Sequence, residues 1–225
     1  TPCGTLFPYT TLFRSLFQES EQYFGGKHIS LQTPTITKGA KVMTLALFVG
    51  RFQPFHYGHL YAVETILKEC DNLIIVVGSA QMSHQHDNPF TAGERIEMIR
   101  AALNTAEIST DRYMIIPIPD ANAHRVWVSA VESQIPRFDI VYSNQSLTKR
   151  LLVEAGYDVR PIDLYKRGKF EASEIRRRIL EEEDWSELVP LEVHRIVQEI
   201  DGENRIRDLA VSDSVNHEND NHGIP

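Results

Sequence analysis

Two histidines, His56 and His59, stand in the run Gly50-Arg51-Phe52-Gln53-Pro54-Phe55-His56-Tyr57-Gly58-His59. An apolar run precedes this stretch and helical periodicity follows it, so the pair falls where a strand hands over to a helix. Imidazoles at this spacing can point the same way, beside the unpaired N–H groups and the positive dipole end of the helix. That is an anion site. Gly50 lets the chain turn off the strand, and Gly58 removes a side chain that would block close approach. Histidines that only cap a helix or fill a packing gap would leave the neighbouring glycines, Arg51 and Gln53 without a role. The common phosphate fingerprints are absent: no GxGxxG follows a strand, and Gly168-Lys169 lacks the rest of a P-loop.

The elements that must position this pair follow from periodicity. Strands are expected at Leu45–Val49, Leu73–Gly78, Met114–Ile118, Asp139–Tyr142 and Asp158–Ile162. Helices are expected at His59–Cys70, Ala92–Ala106, Val126–Gln134, Leu147–Ala155, Glu174–Glu183 and Leu191–Ile200. Thr91-Ala92-Gly93-Glu94 reads as a capping box and Asp184-Trp185-Ser186-Glu187 as a second candidate. Short, continuously apolar strands such as Leu73–Val77 suit a parallel sheet covered on both faces. The expected class is therefore α/β, a doubly wound, Rossmann-like parallel sheet of about five strands in a single domain. Ligands bind such sheets beyond the carboxyl ends of the strands, where strand order reverses.

The chain has 225 residues, 42% hydrophobic and 24% charged, enough for a sizeable core. Residues 1–42 show no sustained period, and Thr5–Ser15 resembles the translation of a sequencing-adapter oligonucleotide. A non-native or disordered leader over 1–42, a domain over 43–209 starting from Met43, and a disordered tail over 210–225 are expected. The body 43–209 carries a net charge of −7, which argues against broad nucleic-acid binding. An anionic ligand then needs a local basic pocket. No stretch approaches the roughly 18 apolar residues of a membrane helix, no secretory signal is visible, and the two cysteines, Cys3 and Cys70, form no framework. The expectation is a soluble, cytoplasmic protein. The charged residues Lys166, Arg167, Lys169, Arg177 and Arg178 read as solvated surface, and Ser83-His84-Gln85-His86-Asp87 as a solvated loop rather than a zinc site.

Gly50 to His59 matches the GRFQPFHxGH signature of the HxGH nucleotidyltransferases, and residues 43–208 resemble the archaeal-type nicotinamide mononucleotide adenylyltransferases. The matching stretches are Gly78-Ser79-Ala80-Gln81 with Ser83-His84, Asn88 to Arg95, Pro119-Asp120, Trp127-Val128-Ser129, Val141-Tyr142-Ser143-Asn144 and Glu174 to Arg178.

The resemblance implies transfer of AMP from ATP to the 5′-phosphate of nicotinamide mononucleotide, giving NAD and pyrophosphate, with Mg²⁺ bound through the ATP phosphates. A phosphate monoester with a second pKa of about 6 needs no general base, so positioning and charge neutralisation must carry the rate. By similarity His56, His59 and Arg51 are catalytic, and Gly50, Phe52, Gln53, Gly58, Ser173 and Arg176 bind ATP. If both imidazoles must donate, activity should fall at high pH. Ser79, Arg95, Asp120, Asn122 and Trp127 would bind the mononucleotide, Trp127 by stacking and cation–π contact with the pyridinium and Arg95 at its phosphate. Glu171 departs from the family pattern by putting a carboxylate near the triphosphate, and Ala123-His124-Arg125 replaces a more Asn-rich stretch. A homo-oligomer without nucleic-acid or membrane partners is implied. The alternatives are another HxGH transferase, acting on phosphopantetheine, flavin mononucleotide or a polyol phosphate, and a catalytically silent nucleotide sensor.

Overall fold

In the computed structural model, which describes residues 43–121, 123–162 and 169–220, the apolar runs form a sheet of five parallel strands in the order β3-β2-β1-β4-β5. These are β1 (Leu45–Gly50), β2 (Asn72–Val77), β3 (Tyr113–Pro117), β4 (Ile140–Tyr142) and β5 (Asp158–Arg160). The chain divides into two units, Thr1–Lys41 and Val42–Pro225, and the first lies outside the described residues, as does the expected leader.

Alternation of side chains along each strand makes two cores, one per face. Ala46 and Phe48 of β1 join Leu73, Ile75 and Val77 on one face, while Leu47 joins Ile74, Val76 and Val141 on the other. The first face is covered by α1 (Tyr57–Glu69), α2 (Ala92–Thr105), α5 (Ala172–Leu180) and α6 (Leu191–Glu199), through residues such as Val63, Ile66, Met98, Ile99, Ile175 and Val193. The second is covered by α3 (His124–Glu132) and α4 (Ser146–Glu154) through Val128, Val131 and Leu152. None of the helices described is long and apolar enough to cross a membrane.

The chain runs outward from β1 to β3, then returns to lay β4 against the other side of β1. The reversal lies between β1 and β4, so the loops leaving their carboxyl ends open onto one crevice. That geometry places the His56–His59 run at the switch point.

Helix ends obey local chemistry. The expected capping box opens α2: Glu94 N donates to Thr91 Oγ1 at 3.2 Å and Thr91 N to Glu94 Oε2 at 2.8 Å. The second candidate is corrected by the structure. Asp184 Oδ1 accepts from Ser186 N at 2.9 Å and Ser186 Oγ at 2.7 Å, opening a 3₁₀ turn (Ser186–Leu188), while Glu187 turns to Lys169 and Arg178. A further helix, α7 (Gly202–Asp220), occupies eleven residues of the stretch expected as a tail, leaving 221–225 outside the described residues. Between Gly202 and Gly223 the sequence has no Gly or Pro, so a helix nucleated on buried Ile206 propagates without a breaker.

Candidate active site

The loop after β1 turns sharply, and its aromatic residues build a seat for the histidines. Phe52 takes a left-handed backbone (φ 54°), which swings its ring back beneath Gly50. A Cβ on Gly50 would stand 2.7 Å from that ring, so only glycine fits there. Phe52 is buried and meets His59 edge-on at 4.8 Å between ring centroids, with Phe55 on another side at 5.4 Å. His56 is the residue before the first turn of α1, and its carbonyl accepts from the N–H groups of His59 and Leu60. Its ring stacks on that of His59, centroids 3.6 Å apart and planes within 23°. Gly58 gives these rings room: a Cβ there would lie 3.0 Å from His56 Nδ1 and 3.1 Å from the Phe170 carbonyl.

The expected pairing of the imidazoles is thus present, with Nδ1 of each ring buried and without a partner among the described residues. Burial pushes the His56 pKa down to about 3, and burial together with the His56 ring pushes His59 well below its ordinary value. Both rings are therefore neutral at physiological pH. A neutral imidazole still carries one N–H, so the loss of activity at high pH expected from the sequence does not follow.

The same shift fixes a stability prediction. An unfolded imidazole titrates near pH 6.5 whereas the folded His56 refuses the proton, so stability falls as pH drops through that window. At pH 5 the loss at His56 is about 2 kcal/mol relative to pH 7. Urea denaturation at both pH values should show a smaller loss in His56→Asn than in the parent protein; equal losses would contradict the burial of this ring.

The rings line a cavity of about 370 Å³ together with Gly50, Gln53, Ser173 and Arg176. Two helices begin on this cavity, α1 at Tyr57 and α5 at Ala172, and neither has a side chain bonded to its first turn. Two sets of orphan N–H groups and two positive dipole ends thus converge beside the histidines. A second cavity, of about 600 Å³, adjoins the first and shares Val49, Gly50, Arg51 and Gln145 with it. Ser79, Asp120, His124 and Trp127 line this second space. The half-buried Trp127 also packs on the core beneath, so it joins core and cavity.

Several expected ligands are placed otherwise by the structure. Arg95 is fully buried and absent from the lining of both cavities. Its guanidinium donates to the carbonyls of Arg51 (2.9 Å), Gly78 (2.8 Å), Ser79 (3.2 Å) and Thr91 (3.2 Å). It braces the ends of β1 and β2 beneath the cleft. The side-chain amide of Gln53 is engaged at both atoms by the backbone of Phe90. Arg176 does line the first cavity, donating to Gln53 O and to Asp87 Oδ1 at 3.0 Å each, with Nε buried and without a partner. Asn122 lies outside the described residues.

Of the charges expected at the surface, Lys166 and Arg167 lie outside the described residues, and Lys169, Arg177 and Arg178 are at the surface and ion-paired there. Arg177 binds Glu174, Glu181 and Glu183, and Arg178 binds Glu174, Glu187 and the Asp184 carbonyl, so α5 presents Ser173 and Arg176 from an anchored helix.

Sequence reasoning gave no role to Asp87, the carboxylate on Arg176, or to Ser143, Asn144 and Gln145, which follow β4 and line the first cavity. Asn144 exchanges two hydrogen bonds with the backbone of Ile162, at 2.7 and 3.0 Å. The strand-order rule does point to the loop after the fourth strand, though not to these residues' roles; nothing local marks Asp87.

Comparison with known proteins agrees with this geometry. The family model described as cytidylyltransferase-like matches residues 47–178. The nicotinamide-nucleotide adenylyltransferase of Methanococcus aeolicus is 51% identical over 168 residues, which cover 75% of this chain and 96% of that protein. Its namesake from Archaeoglobus fulgidus is 47% identical over 171 residues, covering 75% and 98%. A bifunctional NMN adenylyltransferase/ADP ribose pyrophosphatase from Francisella tularensis, solved with AMP and a manganese ion, superposes with a TM-score of 0.63 at 24% identity. That match covers 79% of this chain and 54% of the bifunctional protein, about half its length, and speaks for the fold.

Proposed function

Since this chain belongs to the cytidylyltransferase-like family and, within it, to the nicotinamide-nucleotide adenylyltransferases, we propose that the paired cavities at its sheet's switch point transfer AMP from ATP to nicotinamide mononucleotide. The observation that carries this reading is the meeting of two unlike spaces at Gly50 and Arg51. One is ringed by helix N-termini, imidazoles and Arg176; the other holds Trp127 and Asp120.

ATP occupies the first cavity, its phosphates drawn to the N–H groups of α1 and α5. His56, His59 and Arg176 face them, with Ser173 Oγ and the backbone at Gly50, Phe52 and Gly58 shaping the wall. The mononucleotide lies in the second cavity, its pyridinium ring on Trp127, with Ser79 and Asp120 beside it. Arg51 stands at the junction, where the acceptor phosphate meets the α-phosphate. An oxygen of the acceptor phosphate attacks the α-phosphorus; a P–O bond forms as the bond to the β-phosphate breaks, and pyrophosphate leaves. The acceptor is already a dianion near neutral pH, so no side chain must remove a proton. His56 and His59 donate to the oxygens on which charge grows as pyrophosphate departs, and the dry aromatic seat strengthens that contact. Asn122 is proposed as a further mononucleotide contact on the resemblance alone.

A divalent cation fits this site as a companion of ATP. Among the described residues no group of three or more His, Cys, Asp or Glu side chains could hold a metal, and Glu171 is a carboxylate on the cavity wall. Mg²⁺ carried on the phosphates supplies charge neutralisation there. The substrates are soluble nucleotides, and the proposed location is the cytoplasm. The sequence resemblance adds a homo-oligomer, which sedimentation velocity checks.

The test is NAD formation and pyrophosphate release from ATP and nicotinamide mononucleotide. Product only with phosphopantetheine, flavin mononucleotide or a polyol phosphate would assign another transferase; ATP binding with no product under any acceptor would make the protein a sensor. Within the acceptor cavity, Trp127→Leu should raise KM for the mononucleotide about 2- to 30-fold, the equivalent of a cation–π contact, with KM for ATP changed little. Steady-state kinetics in both substrates measure it.

A further inference from the structure

We infer that Gln53 is a positioning residue that locks the wall of the donor cavity to the wall of the acceptor cavity, and does not itself read the nucleotide. The inference rests on the adenylyl-transfer reading above. Gln53 is 2% exposed, in the loop between β1 and α1. Its Nε2 donates to Phe90 O at 3.0 Å and its Oε1 accepts from Phe90 N at 2.9 Å. Both polar atoms of the amide are thus joined to one residue's backbone, as in a single rung of a sheet, which leaves one N–H and one lone pair of an almost fully buried side chain outside this pair of bonds. The Gln53 carbonyl meanwhile accepts from Arg176 at 3.0 Å, tying the loop to α5.

Phe90 precedes the cap of α2, and one turn later Arg95 bonds the carbonyls of Arg51, Gly78 and Ser79. These contacts close a ring: loop 51–53 holds Phe90, Phe90 fixes the start of α2, and α2 returns through Arg95 to the loops after β1 and β2. Gly78 and Ser79 line the acceptor cavity, whereas Gln53 and Arg176 line the donor cavity. Gln53 is the joint at which the two walls are held in register. A buried amide left half-bonded would cost free energy, so the joint favours one arrangement.

Transfer requires the acceptor oxygen and the α-phosphorus to stand about 3 to 3.5 Å apart and in line, and a displacement near 1 Å can lower the rate about 100-fold. Each substrate's own contacts lie on other groups. Loosening the joint should therefore act on turnover more than on binding.

Gln53→Met keeps the volume of the side chain and removes both bonds. The expected result is a kcat lower by about 10- to 100-fold, with KM for ATP and for nicotinamide mononucleotide each within about 3-fold of the parent. A selective rise in KM for ATP with kcat unchanged would overturn the inference by making Gln53 a nucleotide contact. A lower melting temperature with both kinetic constants unchanged would overturn it by making the residue structural. In case the variant does not fold, the parent protein gives a second readout by NMR: the Gln53 side-chain amide protons should be protected from exchange both without and with ATP. Loss of that protection when ATP is added would also overturn the inference. NAD formation by the parent is the control, since its failure would remove the adenylyl-transfer reading and not this joint alone.

Discussion

His59→Ala is expected to lower kcat for NAD formation by about 100- to 1,000-fold, the effect of removing one preorganised donor from a site where charge develops. The reason lies in the seat of the ring. His59 is held among Phe48, Phe52 and Phe55 and stacked on His56, so its orientation is set before substrate arrives. A donor already in place needs no reorganisation when the bond to pyrophosphate breaks. The variant should still bind ATP, because Arg176 and the first turns of α1 and α5 remain on the cavity. KM for ATP is therefore expected to change far less than kcat. Turnover equal to the parent's would remove the assignment of this ring to catalysis.

Arg95→Met should have the largest effect on folding, about 3 to 5 kcal/mol of lost stability measured by urea unfolding. Three carbonyls from the loops after β1 and β2 lose this partner together, while that of Thr91 keeps only the backbone N–H of residue 95. They are drawn toward one point by a single charged group, and without it they face one another across a buried space. Burial, then Arg51, pulls the Arg95 pKa down to about 10, which leaves the guanidinium charged at neutral pH. A variant of unchanged stability whose only defect was a raised KM for nicotinamide mononucleotide would return Arg95 to the role of phosphate ligand.

The contrast between these two residues shows what the sequence made legible. His56 and His59 were readable because their chemistry is local: spacing, a preceding strand and a following helix are visible within ten residues. Strand identity was readable for the same reason, since continuous apolar runs of Val, Ile and Leu suit a sheet buried on both sides. The order of strands, and hence the switch point, followed from the α/β class only in outline. Helix α1 starts at Tyr57 and not at His59, because His56 itself stands at the cap, a detail of hydrogen bonding and not of periodicity. Helix α7 was missed because polar residues dominate its length and the apolar stripe that marks a helix is weak.

Arg95 and Gln53 fall in the expected neighbourhood, but the bonds they make there were not legible. The resemblance brought them to the nucleotide site, but their partners are backbone atoms 17 to 44 residues away, Arg51 and Gly78 for one and Phe90 for the other. Backbone carbonyls carry no residue signature, so no pattern of residue types could reveal those bonds. Asp87 failed for a related reason: it reads as an exposed loop residue, and only folding brings α5 and Arg176 against it.

In the proposed reaction the stacked imidazoles at the entrance to α1 grip the phosphates of ATP. The most direct measurement is NMR of the histidine ring nitrogens in protein labelled with ¹⁵N-histidine, titrated with ATP and separately with adenosine. The His56 and His59 signals, assigned by single His→Asn substitutions, should move on addition of ATP and stay nearly unmoved with adenosine. Signals of both rings that ignore ATP at saturating binding, while those of His124 or His194 respond, would contradict it.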